Sequence, residues 1–489
     1  MSPILEPLAD FKSADLPEPP SSFWKLAGPG AVLVGLSIGA GEIIVWPLTV
    51  AQYGAGMVWA AMLGVFLQMW VNFEIGRWTI ATGETVYTGY ARVWRGFAPL
   101  FILFNVLGWL APGWAMASGS ALKALLVGPD FGAGTFWGSH SCWTMITFGA
   151  AAALLFGPKM IYHSVEKTIE VLIVIVTVGL ILVAVAVGTA DTWKELGRGA
   201  VNFGYRAEGV SARDLFTWLV FAGAGGTSNL FYSFYLRDKN LGMGALIPDM
   251  QNPLRGRAES IPATGFRYPE TSDNRSRFAI WMRCVRKDQA LFFWFLNSFT
   301  LLLFIFGALA VLRPQGIVPA KGTLIWDQSL ILGEAFGRWG VAWGKIGRTI
   351  FLLVGVATLF STQLALVDGV ARSISDIVYT NVKVAQKRPL NWWYMLIALG
   401  WMAAGCGITF ALDHFQSEEQ ELGVLLQAGY MGGFAMAVYV PLTLYINLRY
   451  LPRSARPGPG SIVMMLGASA VYMGFAAVSL IGELQKRWG

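Results

Sequence analysis

The residues best suited to bind a ligand lie in one apolar segment, Gly30 to Tyr53. Glu42 places a carboxylate near the middle of this segment, after glycines at positions 35, 39 and 41. Glycines loosen a helix, and Pro47 removes a backbone donor one turn later. A carboxylate in such a segment is costly unless it faces a polar cavity or a partner. The pattern predicts a substrate or ion site at a break in a helix. The alternative is a kinked helix with a neutral or paired Glu42.

A second glycine-rich segment also carries polar side chains. Its glycines are followed directly by hydroxyl and amide residues, in the order Gly223, Gly225, Gly226, Thr227, Ser228 and Asn229. We expect a second helix break here, with polar groups beside it. Close packing of helices through small residues is the alternative for either segment alone. Two such segments at matching positions favour a pair of broken helices.

Further polar residues lie in apolar segments. Glu74 and Arg77 are three positions apart, and Asp368, Arg372 and Asp376 follow one another at intervals of four, so each set can pair on one helix face. Ion pairs that stabilise the fold are the favoured interpretation, with a role in coupling as the alternative. Gln363 lies near the middle of its segment. Its amide could face a cavity or bond to a neighbouring helix.

The composition indicates a membrane protein. Hydrophobic residues make up 55% of the 489 positions, charged residues 13%, and the mean hydropathy is +0.54. Three scattered cysteines and three histidines at predicted helix ends or loops form neither a disulfide framework nor a metal cluster. The sequence has no nucleophilic triad and no phosphate-binding glycine loop with a lysine. We therefore predict no enzyme activity, no ATP-driven pumping and no cofactor. The net charge of +7 is interpreted through membrane topology and not as affinity for nucleic acid.

Apolar stretches of roughly 20 residues predict eleven transmembrane helices and an all-α fold. These spans, numbered in chain order, cover about 29–53, 55–80, 98–127, 141–157, 164–189, 214–236, 288–313, 343–376, 391–412, 420–448 and 460–483. Loops that follow even-numbered spans are rich in Lys and Arg, including ten basic residues between Arg237 and Lys287. By the positive-inside rule the N-terminus is cytoplasmic and the C-terminus outside. The basic loop 190–213 does not fit this rule.

The two glycine-rich spans are the first and the sixth, so five spans separate their starts. A second half that begins at span 6 enters the membrane from the opposite side, as in transporters built from inverted repeats. The predicted organisation begins with a disordered cytoplasmic tail (1–27), a five-helix repeat (28–189) and an outside loop (190–213). A second five-helix repeat (214–450) follows and includes a basic cytoplasmic loop, 237–287. The eleventh helix and the C-terminus make up the last part (451–489).

Several short motifs, in this order along about residues 28–450, resemble the Nramp (natural resistance-associated macrophage protein) divalent-metal transporters. They are Gly28-Pro29-Gly30, Gln68 with Glu74, Gly76, Arg77 and Thr82-Gly83-Glu84, Tyr162 with Glu166, Asn229-Leu230-Phe231, Asn297, and Ser361-Thr362-Gln363 with Asp368, Arg372 and Asp376. The resemblance implies the fold of the amino acid–polyamine–organocation superfamily, an inverted repeat of five plus five helices with broken helices 1 and 6. Here an eleventh helix follows.

The chain departs from this family at the site itself. The family motif Asp-Pro-Gly-Asn of helix 1 aligns with Gly39-Ala40-Gly41-Glu42, and Met-Pro-His of helix 6 aligns with Gly226-Thr227-Ser228. In the family, the Asp and Asn oxygens and the Met sulfur bind the metal. Only oxygen ligands remain here, and these favour Mg²⁺ or Mn²⁺ over softer metals. The substitutions equally permit a site that binds no metal.

The leading hypothesis is therefore secondary transport of a divalent cation by alternating access, in a bacterial inner membrane. Glu42 and Asn229 are the candidate metal ligands, the carbonyl groups around Gly39 and Gly225 add oxygens, and the groups expected to bond the hydrating waters are Ser37, Thr227, Ser228, Asn229 and Gln363. The rival hypothesis is a carrier for a small organic solute, including an organic cation, and a third is a membrane sensor that does not transport. The expected partners are this solute and membrane lipid, without nucleic acid. The sequence does not determine the coupling ion, the direction or the oligomeric state.

Overall fold

Long apolar helices make up most of the protein. The computed structural model describes residues 8–20, 22–23, 28–39, 41–157, 161–248, 250, 262–319, 323–415 and 420–488. The one sheet within these residues joins two short parallel strands, Lys12–Ser13 and Phe266–Arg267. The all-α class predicted from the sequence is confirmed.

The helices differ in type along the chain. The α-helices are Pro29–Ser37, Trp46–Tyr53, Val58–Thr82, Val86–Val93, Phe97–Trp109, Gly113–Leu126, His140–Phe156, Ile161–Val187, Ala190–Ala200, Ala212–Phe221, Tyr232–Asp238, Ser272–Asp288, Asn297–Gly307, Leu324–Gln328, Leu330–Gly337, Val341–Asn381, Leu390–His414, Gln420–Tyr450 and Pro459–Trp488. Among the described residues, the π-helical stretches are Gly41–Val45, Gln289–Leu296 and Ala308–Leu312. The 3₁₀ turns are Ala55–Met57, Phe136–Gly138, Gly226–Phe231, Gly242–Leu246, Lys383–Lys387 and Arg453–Ala455.

Eight helices in the described part of the chain are long and apolar enough to cross a membrane. They correspond to spans 2, 3, 5, 7, 8, 9, 10 and 11, and cover Ala55–Thr82, Phe97–Leu126, Val165–Val187, Ser272–Leu312, Val341–Asn381, Leu390–His414, Leu422–Tyr450 and Pro459–Gln485. Span 1 adds a ninth crossing as two helices bent by 40°. Span 4 is the shorter apolar helix His140–Phe156, and span 6 is divided into short pieces. The count of eleven therefore stays a prediction, and the span numbers serve below as labels.

The long helices differ in how much of their surface is buried. In spans 2, 7 and 8, 72%, 72% and 78% of the most apolar stretch is buried, against 24% in span 5 and 22% in span 9. The outer helices expose large apolar side chains, such as Val174 on span 5 and Leu399 on span 9. Surfaces of this kind suit contact with lipid. Spans 2, 7 and 8 are thus interior, where they pack against the two broken spans.

Spans 1 and 6 are both interrupted where the glycines predict. The first half-helix of span 1, Pro29–Ser37, is followed by the π-helical stretch Gly41–Val45. In span 6 the helix stops at Phe221, and the chain continues as the 3₁₀ turn Gly226–Phe231. Gly225 and Gly226 have φ angles of +67° and +52°, which glycine adopts without a steric cost. A two-fold relation between the halves stays a prediction.

The N-terminal segment is packed where the structure describes it, which corrects the predicted disorder for residues 8–20. Leu16 is fully buried, and its backbone N–H donates to Asn274 Oδ1 at 3.0 Å. The Trp281 indole N–H donates to the Pro17 carbonyl at 2.9 Å. Apolar anchors and satisfied backbone groups compensate for the entropy of ordering this short polar segment. The remainder of the predicted tail lies mostly outside the described residues.

The predicted cytoplasmic loop 237–287 contains more regular structure than its charge suggests. Helix Ser272–Asp288 occupies its end and continues directly into span 7, so the helix of span 7 begins well before residue 288. Thr271 caps this helix by accepting a hydrogen bond from the Asn274 N–H. Phe278, Trp281 and Val285 are buried on one face, while the basic residues cover the other. The charge that predicted a loop thus belongs to the outer face of an amphipathic helix.

Candidate functional site

A small cavity borders both helix breaks. Its volume available to the centre of a water molecule is about 10 Å³, so it holds about one water. Spans 1, 3, 6 and 8 line it with Leu36, Ser37, Gly39, Gly41, Trp109, Trp114, Phe221, Gly223, Ala224, Thr362 and Leu366. The cavity is therefore too small for a hydrated ion in this conformation. Three aromatic rings form part of its wall.

The break in span 1 is held by hydroxyl groups from span 8. Ser361 Oγ donates to the Gly35 carbonyl at 2.9 Å, and Thr362 Oγ1 lies 3.2 Å from the Leu36 carbonyl oxygen and 3.3 Å from that of Ile38. These carbonyl groups lose helical partners at the break, so the hydroxyls satisfy them. A Cβ atom at Gly39 would collide with the Thr362 hydroxyl. The absence of a side chain at Gly39 thus permits this close approach.

The break in span 6 is held by one amide from span 2. Gln68 Nε2 donates to the Val220 carbonyl at 3.2 Å, and Gln68 Oε1 accepts from the Gly225 N–H at 2.9 Å. Gln68 Oε1 also accepts from Asn229 Nδ2 at 3.1 Å. The Gln68 side chain thereby replaces helical hydrogen bonds on both sides of the break. Gln68 is fully buried, so these bonds have no competition from bulk solvent.

Asn297 of span 7 connects the two breaks. Its Nδ2 donates to the Ala222 carbonyl of span 6 at 3.0 Å, and its Oδ1 accepts from Ser37 Oγ of span 1 at 2.7 Å. The breaks also touch directly, since a Cβ atom at Gly41 would collide with the Phe221 carbonyl oxygen. The two half-helix ends and Asn297 are therefore connected directly in this conformation.

Glu42 is fully buried in the π-helical stretch after the first break. Its Oε2 accepts from Thr300 Oγ1 of span 7 at 3.0 Å. Its Oε1 has no hydrogen-bond partner among the described residues. Glu42 is absent from the residues that line the cavity, which holds Ser37 and Gly39 of the predicted set. A rotation of the side chain or of the break is needed to bring the carboxylate to this cavity.

The predicted polar residues of span 6 bond to protein groups. Thr227 Oγ1 accepts from the Trp109 indole N–H at 2.7 Å and donates to Asn105 Oδ1 at 2.9 Å. Ser228 Oγ bonds to the Gly225 carbonyl of its own turn at 2.5 Å. Asn229 Nδ2 also lies 3.1 Å from the Tyr439 hydroxyl, while Asn229 Oδ1 has no partner in the described part of the chain. Glu42 and Asn229 thus have separate partners, and their joint role as metal ligands stays a prediction.

Gln363 lines a second small cavity that shares Trp109, Trp114 and Leu366 with the first. This cavity offers about 20 Å³ to the centre of a water molecule. Gln363 Nε2 donates to Thr147 Oγ1 at 3.2 Å, and its Oε1 has no partner among the residues described. The amide therefore both bonds to a neighbouring span and borders a cavity.

Glu74 and Arg77 form a buried ion pair on span 2, with Arg77 Nε 2.7 Å from Glu74 Oε2. Arg77 also donates to the Ala455 carbonyl at 3.1 Å, and Asn447 Nδ2 donates to Glu74 Oε2 at 2.9 Å. These contacts join span 2 to span 10 and to the turn before span 11. Both charges are fully engaged with protein groups.

The charges of span 8 belong to a buried network with the end of span 6. Arg372 Nε lies 2.8 Å from Asp368 Oδ2, and Arg372 also pairs with Asp238. Arg237 Nη1 lies 3.3 Å from Asp376 Oδ1. The charges predicted to pair along span 8 thus also pair with Arg237 and Asp238 at the end of span 6, and their spacing in the sequence did not indicate these partners.

The wall residues Trp109, Trp114 and Phe221 are absent from the candidate set of the sequence analysis. Aromatic residues are frequent throughout this chain, which has 21 Trp and 31 Phe, so their type alone does not distinguish wall from lipid contact. The described residues contain no group of three His, Cys, Asp or Glu side chains that could hold a metal ion.

The overall fold has known counterparts. Two crystal structures of variants of the manganese transporter from Eremococcus coleocola match with TM-scores of 0.65 and 0.66, both at 15% identity. The first match covers 97% of this chain and 90% of that one, the second 99% and 92%. No family model matches the sequence, and no curated protein matches it.

At 15% identity this likeness shows the fold alone. The chain is an integral membrane protein with the overall fold of these transporters, which agrees with the Nramp resemblance. The inverted repeat of five plus five helices stays a prediction. The matched structures are transporters, not enzymes.

Proposed function

We propose that this protein is a secondary-active transporter that moves a divalent cation, Mg²⁺ or Mn²⁺ in preference to softer metals, by alternating access. The observation that carries the proposal is the Glu42 carboxylate, which is fully buried beside the break and has one oxygen without a partner among the described residues. A buried carboxylate in this state needs a proton or a cation to neutralise it. The fold supports the proposal because solved proteins that share it include a manganese transporter.

The cation binds partly hydrated between the breaks. Mg²⁺ keeps several waters and needs few protein ligands, so one carboxylate with carbonyl groups around Gly39 and Gly225 suffices. The waters bond to hydroxyl and amide groups, which give up their present hydrogen-bond partners. These groups belong to Ser37, Thr227, Ser228, Asn229 and Gln363. Met and His are absent from the residues lining the cavity between the breaks, which favours hard cations.

Entry of a hydrated ion requires movement, since the cavity between the breaks holds about one water. In alternating access, the broken spans move relative to their neighbours and open the cavity to one side at a time. The hydroxyl contacts from span 8 to Gly35 and Leu36 are the bonds that must exchange during this motion. We assign the protein to a bacterial inner membrane, with a cytoplasmic N-terminus and an external C-terminus.

One observation favours a second candidate, a carrier for a small organic cation. Trp109, Trp114 and Phe221 border the cavity, and aromatic faces attract organic cations. Glu42 would then pair with the charge of the solute. Both candidates use the same small cavity and differ in what fills it when it widens.

An uptake screen with purified protein in proteoliposomes separates the candidates. Mg²⁺, Mn²⁺, Ca²⁺, Cd²⁺ and choline are offered in turn, and protein-free liposomes provide the background. We expect saturable uptake of Mg²⁺ or Mn²⁺, with Cd²⁺ competing no more strongly than Mn²⁺. Strong preference for Cd²⁺ would contradict the hard-cation site. Uptake of choline without any response to divalent metals would favour the second candidate.

A further inference from the structure

The helix of span 7 is longer than a membrane is thick. It runs from Ser272 to Leu312 over 41 residues, so at 1.5 Å per residue it is about 60 Å long. The hydrocarbon core of a bilayer is about 30 Å thick. Between Lys287 and Arg313 the one charged residue is Asp288, so the apolar half 289–312 is the part within the membrane. The preceding half lies outside it, on the cytoplasmic side in the topology proposed above.

Three basic residues lie in the last turn before this apolar half. Arg283, Arg286 and Lys287 are all exposed, and at spacings of three and four their side chains are neighbours on the helix surface. None of the three forms an ion pair with an acidic side chain in the described part of the chain. Three positive charges are therefore left to solvent at the boundary of the membrane.

The arginines nearer the start of the same helix have acidic partners. Arg275 Nε lies 3.0 Å from Glu270 Oε2, and Arg277 Nη2 lies 2.8 Å from Asp273 Oδ2. The protein thus supplies countercharges where the helix is farther from the membrane. The turn at the boundary lacks them.

The acidic residues closest to this turn are engaged elsewhere. Glu74 pairs with Arg77 at 2.7 Å. Asp288 is buried, accepts from the Tyr232 hydroxyl at 3.1 Å, and lies against the start of half-helix Pro29–Ser37. Neither carboxylate neutralises the exposed charges, so the countercharge comes from outside the chain.

The exposed surface becomes apolar directly after the basic turn. Leu291, Trp294 and Phe295 are 40%, 40% and 55% exposed. Exposed apolar side chains within the membrane contact lipid, and Trp is frequent near the interface. Basic residues followed by apolar ones match the order of headgroup and acyl chains in a phospholipid.

We propose that Arg283, Arg286 and Lys287 bind the headgroup phosphate of an anionic phospholipid in the cytoplasmic leaflet. The exposed apolar residues of the next two turns contact its acyl chains. Arg and Lys form charge-assisted hydrogen bonds with phosphate oxygens, and basic clusters beside a membrane helix attract anionic lipid. An acidic soluble protein would match only the charged half of this surface, so the observations favour the lipid. The site goes beyond the proposed transport function and does not depend on it.

A lipid at this position restrains span 7. Lys287 and Asn297 belong to one continuous helix and are about 15 Å apart along its axis. Asn297 connects the two breaks, and the start of the same helix holds Leu16 of the N-terminal segment. Lipid binding should therefore stabilise the folded protein, which makes thermal stability a suitable measurement.

The test measures the half-life of the full-length protein in detergent at elevated temperature. Dioleoylphosphatidylglycerol or zwitterionic dioleoylphosphatidylcholine is added in increasing amounts. We expect the anionic lipid to lengthen the half-life saturably and more than the zwitterionic lipid does, and high salt to reduce the difference. In a variant that combines Arg283→Gln, Arg286→Gln and Lys287→Gln, the half-maximal concentration of the anionic lipid should rise about fivefold or more, since each cation adds to the attraction.

The matched control combines Arg198→Gln, Arg338→Gln and Lys345→Gln. It removes the same charge from exposed positions near the other end of span 7, where Trp193 of helix Ala190–Ala200 stacks on Phe306. Its response to the anionic lipid should equal that of wild type. An equal loss in this control would show that net charge alone determines the response and would overturn the site.

Other outcomes also decide the proposal. Equal effects of the two lipids on wild type, or an unchanged response of the first variant, would overturn it. Inorganic phosphate that reproduces the effect of the anionic lipid would replace the lipid by a soluble anion. If the triple variant does not insert, Lys287→Gln alone decides, because it should also require more anionic lipid than wild type. Native mass spectrometry should then show fewer bound phosphatidylglycerol molecules on this variant, and equal numbers would contradict the site.

Discussion

Glu42 has one hydrogen bond, from Thr300, and one carboxylate oxygen without a partner among the described residues. Replacing Glu42 by Gln preserves the volume and an acceptor for Thr300 but removes the charge. Uptake of Mg²⁺ or Mn²⁺ should fall several-fold or more, because a charged ligand binds a cation more strongly in a site of low dielectric constant. Initial uptake rates in proteoliposomes measure the effect.

The matched control for this variant is Glu195→Gln, which removes a charge from the exposed face of helix Ala190–Ala200. It should transport as wild type does. Correct insertion of both variants is checked by size-exclusion chromatography. Normal uptake by Glu42→Gln would make the carboxylate structural and remove the main support for a cation site.

At the scale of elements, the two broken spans depend on side chains from their neighbours. Gln68 supplies partners on both sides of the break in span 6, and Asn297 joins span 6 to span 1. Backbone groups released from a helix inside a membrane protein have no bulk water to bond. The shape of the site is therefore set by spans 2, 7 and 8 as much as by the glycines.

Gln68→Leu should destabilise the break, since it leaves the Val220 carbonyl, the Gly225 N–H and the Asn229 amide without this partner. Each buried group left unsatisfied costs about 1–3 kcal/mol. The half-life of the detergent-solubilised protein at elevated temperature should shorten markedly, and this rate is the appropriate measure where unfolding is irreversible. Gln363→Leu removes a buried amide that makes one hydrogen bond among the described residues, to Thr147, and should shorten the half-life less. Equal half-lives of the two variants would show that Gln68 does not hold the break.

At the scale of the whole molecule, residues 8–20 tie together segments that lie far apart in sequence. The strand Lys12–Ser13 pairs with Phe266–Arg267, the Phe11 ring lies 3.8 Å from the Arg92 guanidinium, and Leu16 is buried against helix Ser272–Asp288. This helix continues into span 7, which carries both Asn297 and Asp288. The N-terminal segment is thus positioned to restrain a span that contacts the transport site.

Leu16→Asp should release this segment from the protein. Loss of a fully buried leucine costs about 1.5–3 kcal/mol, and an unpaired carboxylate cannot stay in its place. We expect proteases to cleave the N-terminal segment several times faster, as followed by mass spectrometry. Asp10→Asn, at an exposed position of the same segment, should be cleaved at the wild-type rate. Unchanged cleavage of Leu16→Asp would contradict the packing of Leu16.

The sequence by itself determined the membrane class, most of the long helices and the position of both breaks. These properties depend on local composition, because roughly twenty apolar residues are long enough to span a bilayer and clustered glycines weaken a helix wherever they occur. Glu42 was recognisable for the same reason, as a single charge within an apolar segment. The sequence analysis assigned Ser272–Asp288 to a loop, because the charged residues on the exposed face of this helix outweigh its apolar face in composition.

Only the tertiary structure decided how the site is built. Gln68, Asn297 and Thr362 satisfy the breaks, Trp109 and Trp114 form the wall, and Asp288 meets Tyr232, in each case from a span distant in sequence. Spacing within one helix predicts which residues share a face, but not which neighbour that face meets. The partners of a buried polar group are fixed by the packing of the spans, and this packing determines which groups remain free to bind an ion.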